Sequence, residues 1–361
     1  MPTACYIHIP FCSGKCKYCN FVSFNKPELI NAYIDKLLME IESKYAGELL
    51  QTLYFGGGTP SVIQPSLIKK VKNIFKISDN AEITLELNPE NGDYNYLKEL
   101  RKIGVNRLSI GCQTFNDNLL KSIGRRHDSK DIFKTVKNAK SAGFENISVD
   151  LIYGLPHQTV KDIQHDLAEF TKLDIHHIST YGLKIEPDSY WGKNTPDNVP
   201  DDDYQADMYE SINCMLLKSG FERYEISNFA KNGYEARHNL TYWNNLEYYG
   251  FGVAAHGYVN GIRYSNYRTL EEYLANNNFK EYTKNLTPQE KLEEEIFLGF
   301  RKTAGIDIRK INSLYRIDFD KKYKKILEKY SDYIIKTTSG YALNLKGVML
   351  SNEILANFID E

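Results

Sequence analysis

Residues 4–22, ACYIHIPFCSGKCKYCNFV, carry the pattern on which the reading of the whole chain turns. A short β-type run (ACYIHI) passes at once into Cys12, Cys16 and Cys19, spaced C-x3-C-x2-C. Three thiols this close are one short of a closed tetrahedral site, and structural zinc sites use paired knuckles that supply four ligands. No second C-x2-C pair exists, and His8 and Cys5 fall inside the strand, so zinc would need a borrowed ligand. A [4Fe–4S] cluster on three thiolates fits better, because its fourth iron is free to bind a substrate or cofactor.

The arrangement of strand followed by chemistry then repeats. The β-type runs TLYFGGG, EITLEL, RLSIGCQ, NISVDLIYG and HISTYGL alternate with helix-type segments. In the first of these Pro27 sits near the start, and Leu29, Tyr33, Leu37 and Ile41 share one face. LIKKVKNIFKI, NYLKELRKIG and KDIFKTVKNAKSAG follow, the last two stopped by glycine. Strand-to-strand spacing is about thirty residues, the length of a βα unit, and such alternation means a parallel sheet, open or curled into a barrel. GGGTP follows the second strand, Glu86 and Asn88 end the third, Gln113 follows the fourth, and Asp150 lies near the end of the fifth. In a barrel these positions converge on the carboxyl-end rim, where barrel enzymes keep their sites.

Past Pro187 the rhythm breaks. EPDSYWGKNTPDNVPDDD reads as a surface connection, DYQADMYESINCMLLKSG as a helix, and Tyr224 to Tyr267 as an aromatic region. PQEKLEEEIFLGFRKTAG reads as a helix, two short helices follow, and DYIIKTTSGYALNLKGVML reads as a hairpin. The expected fold is α/β: a partial (β/α)6 TIM-type barrel over residues 1–190, a connecting and aromatic region over 191–285, and a smaller α+β winged-helix-like tail over 286–361.

Composition sets outer bounds. An apolar fraction of 42% and a charged fraction of 25% describe an ordinary globular chain. The formal charge of −2 gives no global attraction to nucleic acid, so none is expected as a partner. No apolar run is long enough to span a membrane, which leaves peripheral contact open, and no export signal is seen at the start. The expected location is the cytoplasm, with Cys5, Cys112 and Cys214 as small buried hydrophobes. The 27 tyrosines suit the walls of a large, partly polar cavity, although nucleotide bias would also produce them.

Taken together, C-x3-C-x2-C with Tyr18 before its last cysteine, and the GGGTP loop, resemble the radical S-adenosylmethionine superfamily. Within it, YIHIPFC and RHNLTYW resemble the HemN/HemW branch, over nearly the whole chain including the tail. The resemblance implies that the amino nitrogen and carboxylate of S-adenosylmethionine chelate the fourth iron. An electron from the cluster, delivered by an electron donor, then cleaves the sulfonium to methionine and a 5′-deoxyadenosyl radical. It implies that Gly57 and Gly58 let backbone approach the amino-acid end of the cofactor, that Thr59 adds a hydroxyl, and that Tyr6 and Tyr18 touch the cofactor. Glu86 would pair with its ammonium. Gln113, Arg125 and Asp150 match positions that hold a second S-adenosylmethionine in the coproporphyrinogen oxidase. On their own, GGGTP reads as a turn and GRRHD around Arg125 as a solvated charge run.

RHNLTYWNNLEYYGFGVAAHGY sets His238 and His256 among Tyr242, Trp243, Tyr248, Tyr249 and Phe251. A heme needs flat apolar walls and takes an imidazole as axial ligand. H-N-x-x-Y-W resembles the heme-binding signature of the branch, which makes His238 the expected ligand; alone, the stretch reads as an aromatic core with one satisfied histidine.

Three functions share this scaffold: a carrier that binds heme and delivers it to heme-accepting proteins, an oxygen-independent coproporphyrinogen III oxidase, and a radical enzyme that modifies heme. The oxidase pattern continues with a further cysteine where this chain has Phe21, and the oxidase carries a long extension before its motif where eleven residues precede Cys12 here. With HNLTYW, these features favour the carrier. No catalytic residue is assigned, though the scaffold is expected to retain cleavage of S-adenosylmethionine.

Overall fold

The computed structural model of the chain describes residues 1–359. Its barrel is built from β1 (Ala4–Ile9), α1 (Ile30–Lys44), β2 (Leu50–Gly57), α2 (Pro65–Lys72), β3 (Ile77–Leu87) and α3 (Tyr94–Lys102). It continues through β4 (Arg107–Gln113), α4 (Asp117–Ser122), α5 (Ser129–Ser141), β5 (Asn146–Tyr153), α6 (Val160–Lys172) and β6 (His177–Gly182). The six strands run parallel in chain order, and β1 does not pair with β6, so the barrel stays open.

Each helix forms for reasons visible in its residues. α1 buries Tyr33, Ile34, Leu37 and Ile41 along one stripe against the sheet. α5 and α6 begin at capping boxes, Asp128 with Asp131 and Thr159 with Asp162, which satisfy their first free N–H groups. Gly104 and Gly143, at φ +95° and +90°, take the left-handed turn just past α3 and α5. α2 stops at Lys72, short of the helix expected to run to Ile77, because Ile77 already belongs to β3.

The remainder of the chain extends the same sheet at both edges. After α7 (Tyr190–Lys193) and α8 (Asp202–Lys218), β7 (Glu222–Arg223) and β8 (Asn228–Ala230) add antiparallel beyond β6. The expected surface connection thus contains a helical turn, which buries Trp191. α9 (Arg237–Trp243) leads to β9 (Tyr248–Phe251), which pairs parallel with β1. β10 (His256–Val259), β11 (Ile262–Asn266) and, after α10 (Leu270–Ala275), β12 (Lys280–Asn285) continue antiparallel. The aromatic region is therefore a sheet extension on the free edge of β1, giving a single twelve-stranded sheet.

Buried Glu40 of α1 ties that extension down. Its carboxylate accepts hydrogen bonds from Gly252 N (2.9 Å), Asn266 Nδ2 (2.7 Å) and the Tyr273 hydroxyl (2.7 Å). Burial raises its pKa, opposed by Lys44.

The tail starts with α11 (Pro288–Gly299), capped by Thr287 and Glu290. β13 (Ile306–Asp307), β14 (Ile334–Lys336) and β15 (Gly340–Leu343) form a small antiparallel sheet ordered β13-β15-β14. Helices cover it, and Ile296, Phe300, Phe319 and Phe358 fill its core. The expected hairpin is β14 and β15, but its last residues, Leu345–Met349, are helical. Tyr209 of α8 enters this core and joins tail to barrel. Cys5 and Cys112 are buried as expected, whereas Cys214 is exposed on the outer face of α8. No helix among the described residues is long and apolar enough to cross a membrane.

Candidate functional site

β1 delivers the chain to the cysteine loop, whose two ends are clamped together. Phe11 bridges to Phe24, Cys12 N donates to Phe24 O (3.1 Å), and Phe24 N donates to Pro10 O (2.6 Å). The middle is held from the far side of the barrel mouth: Lys17 N donates to Ile123 O, and Trp191 N donates to Lys17 O, each at 3.0 Å. Tyr18 packs onto a small apolar cluster that includes Ile123, Ile152 and Trp191. The ring of Tyr18 is thus an anchor for the loop.

The three thiols sit within electrostatic reach of one another. Burial raises the pKa of Cys19, and Cys16 and Cys12 add to that rise. Arg125 Nη1 approaches Cys16 Sγ at 3.8 Å, and the Thr59 hydroxyl donates to Cys12 Sγ at 3.3 Å. Among the described residues no three His, Cys, Asp or Glu side chains form a set that could hold one metal ion. Thiolates of a cubane bind separate iron corners and do not converge on one point. The loop fits a cubane in its chemistry: three sulfurs on one short clamped segment, with a guanidinium beside them to offset anionic charge.

Next to the loop lies a glycine cradle at the end of β2. Gly58 N donates to Ile9 O (2.9 Å) and Thr59 N to Phe11 O (2.8 Å). A Cβ on Gly58 would meet the Phe11 carbonyl oxygen at 2.7 Å, and one on Gly56 would meet Tyr54, Tyr6 and Glu86 at 2.8, 3.0 and 3.1 Å. Gly57 adopts φ +116°, which L side chains rarely take. Glu86 accepts from Gly57 N (3.1 Å) and the Tyr54 hydroxyl (2.7 Å). Burial raises its carboxyl to about 7, helped by Asp150 and opposed by Tyr54. A cation placed beside it, such as an ammonium, would favour the ionised form.

Behind these lie Asn88, Arg125, Gln113 and Asp150. Arg125 Nη2 donates to Asn88 Oδ1 (2.8 Å) and Gly111 O (2.5 Å), and Asn88 Nδ2 donates to Thr59 Oγ1 (3.2 Å). Arg125 is therefore a structural member of the mouth, not a solvated charge. Gln113 is a non-glycine residue at φ 72°, a strained setting of the kind that gathers at functional sites. Asp150 accepts from Ser109 (3.3 Å) and is raised to about 6 by burial. Arg107, buried at the start of β4, stabilises both Glu86 and Asp150 as anions. Tyr54 and Arg107 escaped the reading of the sequence: each looks like an ordinary strand residue until the barrel closes around it.

Tyr6 lies in mid-strand, in register with Tyr54 on one side and Gly250 on the other. Its ring faces a second compartment. Between the loop after Cys19, α9, the β10–β12 extension and α11 lies a cavity of about 1450 Å³. Tyr242, Trp243, Tyr248 and Phe297 wall it, together with Phe21, which is 62% exposed. Where the oxidase pattern has a cysteine, this chain therefore presents an aromatic ring to the cavity. His8 connects the compartments: its Nδ1 meets the Tyr6 hydroxyl (3.1 Å) and its Nε2 meets Val22 O (2.9 Å).

His238 sits in the first turn of α9. Its side chain is buried beneath Tyr242 and stacks on Tyr54, with ring centroids 5.0 Å apart. Nδ1 is hydrogen-bonded to the Thr52 hydroxyl (2.8 Å) and Nε2 to the Tyr242 hydroxyl (2.7 Å), and burial depresses its pKa to about 3. Neither nitrogen is free, and the ring is not part of the cavity wall. The imidazole fixes Tyr242, and α9 presents Tyr242 and Trp243 to the cavity.

Residues 6–170 match the radical SAM superfamily, and residues 286–350 match the HemN C-terminal domain. The chain is 38% identical to heme chaperone HemW of Bacillus subtilis (strain 168), over 99% of each chain. It belongs to the HemW family. Heme chaperone HemW of Lactococcus lactis is 37% identical over 99% of this chain and 97% of its own length. That of Escherichia coli (strain K12) is 37% identical over 72% and 70%. Among solved structures, the coproporphyrinogen III oxidase (HemN) of Escherichia coli aligns with a TM-score of 0.88 over 99% of this chain and 90% of that one. At 24% identity the likeness is one of fold: the barrel and the smaller tail domain of this chain follow that structure.

Proposed function

We propose that this chain carries heme as cargo in the aromatic cavity and passes it to heme-accepting proteins in the cytoplasm. Membership of the HemW family supports the reading, and the observation that carries it is the cavity of about 1450 Å³ beside the cysteine loop, larger than an ordinary small-molecule pocket and walled by flat rings. Cys12, Cys16 and Cys19 hold a [4Fe–4S] cluster. When bound, the cluster and S-adenosylmethionine supply one-electron chemistry, fed by an external donor.

The protein's share is placement. Gly56, Gly57 and Gly58 admit the amino-acid end of S-adenosylmethionine, Glu86 takes its ammonium, and Thr59 steadies both Asn88 and Cys12. Gln113, Arg125 and Asp150 complete the wall on the β4–β5 side, with Tyr6 and Tyr18 holding its margins. Loading or release of heme is the step such a site serves, since cavity and loop share His8 and Val22.

The test is anaerobic reconstitution, then heme titration and porphyrin analysis with S-adenosylmethionine and reductant. Heme recovered unchanged is the expected result. A modified porphyrin would make the protein an enzyme acting on heme, and conversion of coproporphyrinogen III would make it an oxidase.

A further inference from the structure

Arg107 is a cation buried inside the barrel, only 2% exposed. Its Nε has no hydrogen-bond partner, and its guanidinium forms no ion pair among the described residues. In register with it, Thr84 on β3 and Asn146 on β5 likewise leave Oγ1 and Oδ1 without partners. A buried charge that no contact satisfies is costly, and an apolar side chain of similar volume would suit the packing better. Its presence needs a reason other than packing.

That reason lies further up the same face of the sheet. Ser109 follows Arg107 on that face, stands in register with Glu86 on β3, and donates to Asp150 on β5 (3.3 Å). From this juxtaposition we infer that Arg107 is a positioning residue for the cofactor, the fixed positive pole against which Glu86 carries the negative charge that receives the amino end of S-adenosylmethionine. This rests on the role proposed above for Glu86.

The surroundings of Glu86 make such a pole necessary. Facing it are Tyr6 on β1, Tyr54 on β2, Asp150 on β5, Tyr181 on β6 and Tyr242 on α9, none of them a cation. Burial pushes its carboxyl up to about 7. Of the charged groups that act on it, Asp150 opposes ionisation and Arg107 favours it. Arg125, the other buried cation of the mouth, is bonded to Asn88 and Gly111 O.

A charge acting at a distance and a packing contact leave different traces. Without Arg107 the Glu86 carboxyl titrates at higher pH, so cofactor binding weakens where Glu86 becomes neutral. Where Glu86 stays ionised regardless, removing a cation takes away only repulsion toward a cationic ligand, and binding does not weaken.

The experiment measures S-adenosylmethionine affinity by calorimetric titration of reconstituted protein at several pH values. The proteins are wild type, Arg107→Met, Arg107→Lys, and Glu86→Gln with and without Arg107→Met. Arg107→Met should bind roughly 10-fold more weakly near pH 6.5, yet match or exceed wild type near pH 9. Arg107→Lys should follow wild type, and in Glu86→Gln the added Arg107→Met should weaken binding at no pH. An equal loss at every pH, or no loss, overturns the inference, as does Arg107→Lys behaving like Arg107→Met. Infrared titration of cofactor-free protein reads the same carboxyl should Arg107→Met fail to take up a cluster. The protonated-carboxyl band that Glu86→Gln deletes should persist to higher pH in Arg107→Met, and an unmoved band refutes the role. Wild type that binds no S-adenosylmethionine, or Glu86→Gln that binds it as wild type does, refutes the cofactor site itself, a separate failure.

Discussion

Gly58→Ala places one methyl group where the structure has backbone. The new Cβ would lie 2.7 Å from Phe11 O and 3.1 Å from Ile9 O. Both are main-chain atoms, so no side chain can swing aside. The same two carbonyls accept hydrogen bonds from Thr59 N (2.8 Å) and Gly58 N (2.9 Å), so relief must pull the end of β2 away from the strand that feeds the cysteine loop. Overpacking of this kind costs about 1–3 kcal/mol, and weakening either hydrogen bond adds about 1 kcal/mol. The expected loss is about 2–4 kcal/mol. The Thr59–Cys12 contact should be lost with it, because the shift acts on both residues. Urea denaturation measures the stability, calorimetric titration measures S-adenosylmethionine affinity on reconstituted protein, and iron content reports the cluster. Stability within 0.5 kcal/mol of wild type, about the scatter of neutral surface changes, together with full cofactor affinity would refute the cradle argument.

Three further perturbations reach other parts of the molecule. Cys16→Ala should leave far-UV circular dichroism unchanged while iron and sulfide fall, since the sulfur meets only the ends of two side chains, Arg125 and Tyr18, among the described residues; full cluster content in the variant contradicts its role. Glu40→Ala strands three buried donors, Gly252 N, Asn266 Nδ2 and the Tyr273 hydroxyl, and should cost about 3–5 kcal/mol in urea denaturation. A loss below 1 kcal/mol would show that water replaces the carboxylate. Glu225, fully buried, is raised from 4.5 to about 7 by burial. Between those values the folded protein keeps a proton that the unfolded chain releases, so stability falls as pH rises through that window. Glu225→Gln removes this titration and should flatten the decline between pH 5 and 8 by up to about 3 kcal/mol. Parallel pH profiles for variant and wild type would count against it.

Legibility of the fold followed the strength of each local signal. ACYIHI and RLSIGCQ coincide with β1 and β4, because their short length, bounded by turn signals, suits a strand and not a helix. β7 and β8 hold only two and three residues, too short for any period to register. The β9–β12 extension hid for another reason: its tyrosines and glycines are spaced for packing against β1 and one another, as where a Cβ on Gly257 would meet the Tyr264 ring at 2.2 Å. Cys214 misled because α8 carries apolar residues on its outer face as well. In the site, residues tied to backbone motifs, the cysteines and the GGGTP loop, could be read directly. Arg107 opens a strand and looks like surface, since nothing local reveals that Glu86 and Asp150 stand on the two strands that flank it. The hydrogen bonds of His238 could not be read in advance, because a sequence gives its neighbours on α9 but not Thr52 on β2, which meets its Nδ1.

The hydrogen-bond ladder between β1 and β9 carries a consequence for how this chain can be divided. β9 arrives from some 240 residues away in sequence to cover the outer edge of the first strand. A fragment ending with the barrel repeats at residue 190 would therefore leave that strand bare, with its row of N–H and C=O groups facing water. Open β edges of this sort recruit other chains. The unit that homology marks out by its motifs is thus smaller than the unit whose first strand is covered, and the cavity-side strands serve the cysteine-loop side as its protective border.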